Sequence, residues 1–299
     1  MTTFVLLTIT GLGLAGLYFL VASGLSMIFG LMDVLNFAHG VFLTVGAYMS
    51  WWIAERLTFI GSGTLRFVVA VAFGTLVGAA VAALVELVFI RRLYGNHVGQ
   101  ILVTVGLALA GTALIRAIWT PDARTFPSPT WMGETTSVLG AAIPNSRFVA
   151  IGTAVALYVG LRLFLRHTRY GLVVRAGVEN RPMVTALGIN VTQAFTLVFA
   201  IGGIAAALGG ALTGAYFGVI DPEMGGRLLI FAFIVVIIGG LGSLRGAAIA
   251  AVLVGLLQQY ANFYALDFGL SGLGDLIVVL LLAVVLLVRP QGLAGKAAV

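Results

Sequence analysis

Long apolar stretches, each bounded by a few polar or glycine residues, make up most of this chain. An α-helix needs about 20 apolar residues to cross the roughly 30 Å hydrocarbon core of a bilayer. The stretches near that length are residues 4–29, 37–54, 67–90, 100–119, 148–165, 191–217, 247–263 and 273–288. The pattern predicts an all-α membrane protein, a polytopic bundle of about 8–9 transmembrane or re-entrant helices. We expect a single transmembrane domain over residues 1–299.

One further apolar stretch, residues 228–239, is too short to cross a bilayer alone, since about 12 residues of helix span about 18 Å. We interpret it as a half-helix or re-entrant segment, which is stable only where its loose backbone is buried in protein or lines water. It follows the polar segment 219–227 and precedes the glycine-rich segment 239–246. Short apolar segments interrupted by Gly or Pro point to a transport pathway.

Polar residues also interrupt the chain between the first two stretches, at Asp33, Asn36 and His39. Because polar groups are costly in lipid, these side chains are expected to face protein or water. A transport role is open, and so is a structural role in which Asn36 and His39 fix a helix break. The candidate pathway residues from both interruptions are Asp33, Asn36, His39, Gly40, Asp221, Gly239, Gly240, Gly242 and Ser243.

The composition agrees with the apolar pattern and excludes a separate soluble domain. Hydrophobic residues make up 61% of the chain and charged residues 9%, against about 25% charged residues in soluble domains. The net charge of +6 does not indicate a nucleic-acid partner, because the basic residues are scattered at the ends of the predicted helices.

Basic residues favour the cytoplasmic side of membrane helices, so their distribution predicts the orientation. One set of loops contains Arg91, Arg92, Arg162, Arg166, Arg169, Arg175, Arg181, Arg245, Arg289 and Lys296. The opposite set contains Arg56, Arg66, Arg116, Arg124, Arg147 and Arg227. The larger set is expected in the cytoplasm, which places the C-terminus inside and, if every stretch crosses, the N-terminus outside.

Several glycines recur at four-residue spacing, namely Gly74 and Gly78, Gly210, Gly214 and Gly218, and Gly242 and Gly246. Such residues allow close contact between membrane helices. Packing is the favoured interpretation, and lining of a pore is the alternative.

No catalytic motif is present, so we expect a protein that is not an enzyme and has no cofactor of its own. The only lysine, Lys296, precedes alanine, which rules out the phosphate-binding P-loop. The Gly11–Gly16 segment matches a dinucleotide fingerprint but lies within an apolar stretch, where helix packing explains it better. The chain has no cysteine, hence no disulfide or thiolate metal site.

Two predicted extramembrane segments differ in character. The outer loop at about residues 120–147 contains four of the seven prolines, which suits either a stiff docking surface or a simple connection. The cytoplasmic loop at about residues 167–190 mixes charged and apolar residues at helical spacing, which predicts a short amphipathic helix at the membrane face. Asn180 is expected to cap this helix, Pro182 to occupy its first turn and Gly188 to end it.

Four segments carry a resemblance to a known family. They are Asn36-Phe-Ala-His-Gly40 followed by Tyr48, the stretch 175–190, Gly239-Gly-Leu-Gly-Ser-Leu-Arg-Gly246, and Arg289-Pro-Gln-Gly-Leu293. In this order they resemble the permease subunits of bacterial branched-chain amino-acid ABC importers (the LivH type). Two positions depart from that pattern: Arg245, where a small residue or proline is expected, and the acidic Asp221-Pro-Glu223.

The resemblance implies a multi-pass subunit of the bacterial inner membrane that pairs with a second, related permease. It also implies two cytoplasmic ATPase subunits, which hold the ATP and Mg, and a periplasmic solute-binding protein. The stretch 175–190 resembles the family's cytoplasmic coupling loop. Its expected ATPase-coupling residues are Arg175, Glu179, Asn180, Arg181, Met183, Ala186, Leu187 and Gly188.

Other functions remain to be weighed. Relatives of the same type serve urea or short amides. A proton-coupled carrier would use Asp33, His39 and Glu86 as a relay, although an ion pair of Glu86 with Arg91 and Arg92 is the favoured interpretation of that residue. An intramembrane enzyme would need Ser243 or His39 as its reactive group, and neither has a catalytic partner at a persuasive spacing.

Overall fold

A computed structural model describes residues 1–186, 188, 191–270 and 272–294, without the side chains of residues 177–182, 185 and 191. The helices are α1 (Thr2–Met32), α2 (His39–Arg56), α3 (Gly63–Val88), α4 (His97–Trp119), α5 (Thr130–Gly133), α6 (Asn145–His167), α7 (Arg169–Ala186), α8 (Val191–Phe217), α9 (Met224–Gly239), α10 (Leu244–Leu266) and α11 (Leu273–Val288). A 3₁₀ turn, Ile90–Leu93, follows α3. The strands are β1 (Arg124–Thr125), β2 (Thr135–Val138), β3 (Ala141–Pro144) and β4 (Val219–Ile220).

Each predicted apolar stretch corresponds to one helix, so the polytopic helical class is confirmed. Six helices in the described residues are long and apolar enough to cross a membrane: α1, α3, α4, α6, α8 and α10. The stretch predicted to begin at residue 228 is longer than expected, because α9 begins at Met224. Its 16 residues span about 24 Å.

The centre of the bundle is an antiparallel crossing of α1 and α8. A Cβ atom added at Gly24 would lie 2.6 Å from the carbonyl oxygen of Gly202, so glycine is required for this approach. α10 packs on α1 in the same manner, since a Cβ atom at Gly255 would lie 2.6 Å from the backbone nitrogen of Ala15. Small residues let the backbones of membrane helices meet where the hydrophobic effect no longer drives association.

The chain contains two similar helical units that run in opposite directions. In each, a long helix (α1 or α8) is followed by a break, a shorter helix (α2 or α9) and a further helix (α3 or α10). α3 packs on α8 as α10 packs on α1; a Cβ atom at Gly203 would lie 2.5 Å from that of Ala82. Inverted units of this kind are typical of membrane transporters.

The outer loop has more structure than the sequence predicted. Its hairpin pairs β2 with β3 and turns at Leu139 and Gly140, both at positive φ, as a tight hairpin requires. β1 pairs antiparallel with β4, which joins the loop to the segment before α9. The prolines interrupt helix in this loop, so short strands satisfy its backbone instead.

The helix ends form two groups at opposite ends of the bundle, which are named below after the predicted orientation. At one end, Asp33 faces His97 at 4.0 Å and Arg91 donates to the hydroxyl of Thr196 at 2.8 Å. At the other end, Arg147 donates to the carbonyl of Tyr216 at 2.8 Å. We call these the cytoplasmic end and the outer end.

Candidate solute pathway and coupling surface

The first helix break returns the chain to membrane depth before α2 begins. Asp33, with φ 55°, ends α1, and the side-chain oxygen of Asn36 accepts the N–H of Ala38 at 3.1 Å. His39 is fully buried, and its Nε2 hydrogen-bonds the carbonyl of Val21 at 3.1 Å. Val21 lies eleven residues before the end of α1, which is about 16 Å along the helix.

The break therefore separates residues that the sequence grouped together. Asp33 is exposed at the cytoplasmic end, whereas Asn36 and His39 are buried. Asn36 turns the chain and His39 anchors the start of α2, so both fill structural roles in the break. Asn36 Nδ2 and His39 Nδ1 have no hydrogen-bond partner among the described residues.

The second break brings the start of α9 to the start of α2. A Cβ atom at Gly40 would lie 2.7 Å from the carbonyl oxygen of Gly225. The two helices run in opposite directions from this contact. Phe233, further along α9, accordingly packs against Phe37, which precedes α2, with ring centroids 5.1 Å apart. Helix N-termini carry partial positive charge, so two such ends meet inside the bundle.

Charged side chains gather beside this contact, on the outer side of it. Arg116 pairs with Glu223, and Arg227 pairs with Asp221. The backbone N–H of Glu223 also donates to Asp221 at 2.9 Å. We call these four residues the charged face. Of these four residues, the sequence predicted Asp221 as a pathway residue, whereas Arg116 and Arg227 bear only on the predicted membrane orientation.

The predicted pathway residues of segment 239–246 lie elsewhere, in the turn between α9 and α10 at the cytoplasmic end. Gly240 and Gly242 adopt φ values of 96° and 77°, and a Cβ atom at Gly242 would lie 2.7 Å from the Cα atom of Gly30. The hydroxyl of Ser243 accepts the N–H of Gly246 at 3.1 Å and thus caps α10.

Gly239 is likewise a packing residue, because a Cβ atom there would lie 2.5 Å from the backbone nitrogen of Ala247. The C-terminal tail closes over this turn: the N–H of Leu293 donates to the carbonyl of Ile238 at 2.7 Å, and that of Ala294 to Gly239 at 3.0 Å. The turn is built from backbone contacts that tie α9, α10 and the tail together.

The helix predicted within the cytoplasmic loop corresponds to α7, and it begins earlier than predicted. The hydroxyl of Thr168 accepts the N–H of Gly171 at 2.9 Å and caps the helix. The predictions of a cap at Asn180 and a first turn at Pro182 were wrong, because both positions lie inside α7. The predicted stop is confirmed: α7 ends at Ala186, and Gly188 follows with φ 77°.

Among the described side chains of α7, apolar residues such as Leu172 and Met183 are exposed as well as the charged Arg175, so the predicted amphipathic character is not confirmed. Val174 and Val184 are buried. The predicted coupling residues that are exposed are Arg175, Met183, Ala186 and Gly188. The side chains of Glu179, Asn180 and Arg181, and Leu187 entirely, lie outside the described residues.

Glu86 forms a buried cluster at the cytoplasmic end that the sequence predicted in part. Its side chain is 0% exposed, Arg91 Nε lies 3.4 Å from Oε1, and Arg92 is exposed. The hydroxyl of Tyr94 also donates to Oε1, and that of Thr196 donates to Oε2 at 2.7 Å. The ion pair with Arg91 is thus confirmed, and the link to α8 through Thr196 is new.

The chain was compared with known families and proteins. A family model described as branched-chain amino acid transport system / permease component matches residues 7–288. The high-affinity branched-chain amino acid transport system permease protein LivH of Salmonella typhimurium is 28% identical over 294 residues, 96% of this chain and 94% of the relative. BraD of Pseudomonas aeruginosa, with the same description, is 30% identical over 298 residues with the same coverage.

A more distant relative is the fructose import permease protein FruF of Bifidobacterium longum, 26% identical over 81% of this chain and 66% of the relative. No solved structure matches the chain significantly. In the described residues, no group of three or more His, Cys, Asp and Glu side chains could hold a metal ion.

Proposed function

Because this chain belongs to the family of branched-chain amino acid transport system permease components, we propose that it forms the membrane pathway of an ABC importer. It moves branched-chain or related amino acids into the cytoplasm and is a multi-pass protein of the inner membrane. The match over residues 7–288 carries this conclusion. Similarity to LivH and BraD over 96% of the chain favours these amino acids over urea or short amides.

A permease of this family is a transport subunit and not an enzyme, so its energy comes from partners. We propose two cytoplasmic ATPase subunits that bind ATP and Mg, a second related permease and a periplasmic solute-binding protein. The chain itself is expected to need no cofactor.

The exposed side of α7 is our candidate contact for the ATPase subunits. Arg175 offers a charge at its rim, while Met183 and Ala186 offer apolar surface to a groove. A single residue, Thr168, separates α7 from α6, and α8 follows closely. A movement of α7 is therefore passed directly to two helices of the bundle, which favours a rigid-body response.

The contact of α2 with α9 is our candidate for the centre of the pathway. Backbone that departs from regular helix at membrane depth is tolerated where it is buried in protein or lines water. Asn36, His39 and Gly40 form one side of this centre, and Asp221 lies on the other.

The function is tested by reconstituting the permease pair with the two ATPases in liposomes and adding the loaded binding protein outside. We expect leucine uptake that requires ATP inside and is indifferent to a protonophore. Uptake by this chain alone, driven by a proton gradient and insensitive to ATP, would overturn the proposal in favour of a secondary carrier.

The coupling surface is tested with Glu179→Arg in the same complex. We expect uptake to be lost while expression and membrane insertion are unchanged, because Glu179 is expected to contact the ATPase subunit and the reversed charge would repel it. Arg92→Glu is the matched control, a charge reversal at an exposed cytoplasmic residue outside α7. Normal uptake by Glu179→Arg would refute the assignment.

A further inference from the structure

The charged face extends inward from the outer loop, since Asp221 directly follows β4 and Arg116 lies three residues before the outer end of α4, and it is exposed on this chain. A Cβ atom at Gly111 of α4 would lie 2.6 Å from Val41, near the start of α2 where Gly40 meets Gly225. Gly111 is eight residues before the outer end of α4, or about 12 Å below it. Arg227 lies two residues beyond Gly225 along α9, yet its side chain is 60% exposed, and the side chain of Glu223 is 57% exposed.

Exposure at this depth decides which surroundings the face can have. A charged side chain at the bilayer centre costs about 3 kcal/mol or more, so such residues face protein or water. The surface of α6 differs, since Gly152, Val155 and Gly160 present small or apolar groups there. The inner part of the charged face, at Arg227, is therefore expected to meet protein or water, whereas the exposed surface of α6 suits lipid.

The chemistry of the face matches one class of solute. Its two acids and two arginines carry no net charge, and they adjoin the partly positive N-terminus of α9, which favours carboxylates. A zwitterion can insert into an Arg–Asp pair and leave every charge paired, whereas a solute with a net charge leaves one unpaired.

A buried, unpartnered hydroxyl supplies independent support. Tyr48 is fully buried, and its hydroxyl has no hydrogen-bond partner among the described residues. The charges of both Asp221 and Arg124 act on this hydroxyl. Buried polar groups are nearly always paired, so this hydroxyl is suited to a group that arrives from the pathway.

We propose that the charged face lines the aqueous route of the solute, with Arg227 and the start of α9 receiving a carboxylate and Asp221 and Glu223 receiving an ammonium group. This inference rests on the proposed function and names the residues that meet the amino acid.

The absence of cysteine allows a direct test by thiol labelling. Gly226 is exposed, and a Cβ atom there meets nothing within 4 Å; Gly152 on α6 shares both properties. Gly226→Cys and Gly152→Cys are compared in the assembled, reconstituted transporter with a cationic, membrane-impermeant methanethiosulfonate added outside. We expect Gly226→Cys to react at least about tenfold faster, because the reactive thiolate forms in water and not in hydrocarbon.

Saturating leucine-loaded binding protein, with ATP inside, should slow the labelling of Gly226→Cys. Adding Arg227→Gln should remove that protection, and Arg227→Lys should restore it, whereas a purely structural Arg227 would leave protection unchanged. Equal labelling of both cysteines, or none at Gly226→Cys, would overturn the inference; the latter would indicate that a protein surface covers the face.

Two controls keep the result interpretable. If Gly226→Cys fails to assemble, Arg227→Cys gives the same labelling comparison at an exposed position of the same helix. Uptake by the unmodified transporter is measured in parallel. Its absence counts against the proposed function, while normal uptake together with the wrong labelling pattern counts against the charged face alone.

Discussion

Replacement of Thr196 by valine tests whether the Glu86 cluster holds α3 against α8. The hydroxyl of Thr196 donates to Glu86 at 2.7 Å and accepts from Arg91 at 2.8 Å. Valine keeps the shape of the side chain and removes these bonds, together with the contact of the hydroxyl with the carbonyl of Thr192 at 3.2 Å. Arg91 is partly exposed and can turn to water, but Glu86 is fully buried and loses one of its donors.

The expected loss of stability is bounded by the values known for two kinds of hydrogen bond. Hydrogen bonds between membrane helices contribute on average about 0.6 kcal/mol, since the unfolded state in the membrane also finds partners. Bonds to charged groups contribute roughly 1.5–3 kcal/mol, and the buried carboxylate favours the upper range. We expect a loss of about 1.5 kcal/mol, which corresponds to about 3 °C at about 2 °C per kcal/mol for a chain of this size.

The assay is thermal unfolding of the purified permease pair in detergent, followed by the loss of its peak in size-exclusion chromatography. Thr196→Ser is the matched control, because it retains the hydroxyl and removes a methyl group. The valine variant should melt lower than the serine variant. A valine variant that melts with the wild type, or a serine variant that melts lower than valine, would refute the role assigned to the hydroxyl.

Three further predictions have definite expected outcomes in the same melting assay. Gly40→Val should destabilise by about 1–3 kcal/mol through overlap with the α9 backbone, whereas Gly152→Val, in open space, should change little; equal effects would contradict the close crossing. Gly242→Ala and Gly269→Ala both incur the cost of positive φ, about 1–2 kcal/mol, but Gly242→Ala alone also meets neighbouring backbone and should melt lower. Ser243→Ala should lose about 1 kcal/mol as a helix cap and retain ATP-driven uptake; loss of uptake at unchanged stability would instead indicate a chemical role for the hydroxyl.

Most of the helices could be predicted from the sequence, because a membrane imposes a length and a composition that each helix must satisfy alone. The prediction failed where a local signal competes with another. Asn180 and Pro182 suit a helix start, but Thr168 provides an earlier cap and α7 continues through both. The prolines of the outer loop indicated that helix is absent, but not that β1 would pair with β4, which lies almost a hundred residues further along the chain.

The candidate site was harder to predict from the sequence. The two helix breaks are visible as polar and glycine interruptions, but the contact between them is not. The contact of Gly40 with Gly225 depends on how α2 and α9 rotate about their axes, and apolar helices without a polar side give no periodic signal for that rotation. The motif containing Ser243 shows the converse problem, because the sequence predicted pathway residues there. In the structure its glycines form a tight turn and its serine caps a helix at the cytoplasmic end.

The positions of the ionisable residues also bear on the mechanism. A proton relay requires groups that exchange hydrogen bonds in sequence, and the proposed members Asp33, His39 and Glu86 have separate partners. Asp33 is exposed beside His97, His39 is buried against the carbonyl of Val21, and Glu86 is occupied by donors from α8 and the 3₁₀ turn. Glu223 and Arg227 lie on an exposed surface instead, where Glu223 pairs with Arg116 and Arg227 pairs with Asp221. Neither these pairs nor the three separated groups form a connected chain of hydrogen bonds, so the described residues offer the proton-coupled alternative no relay.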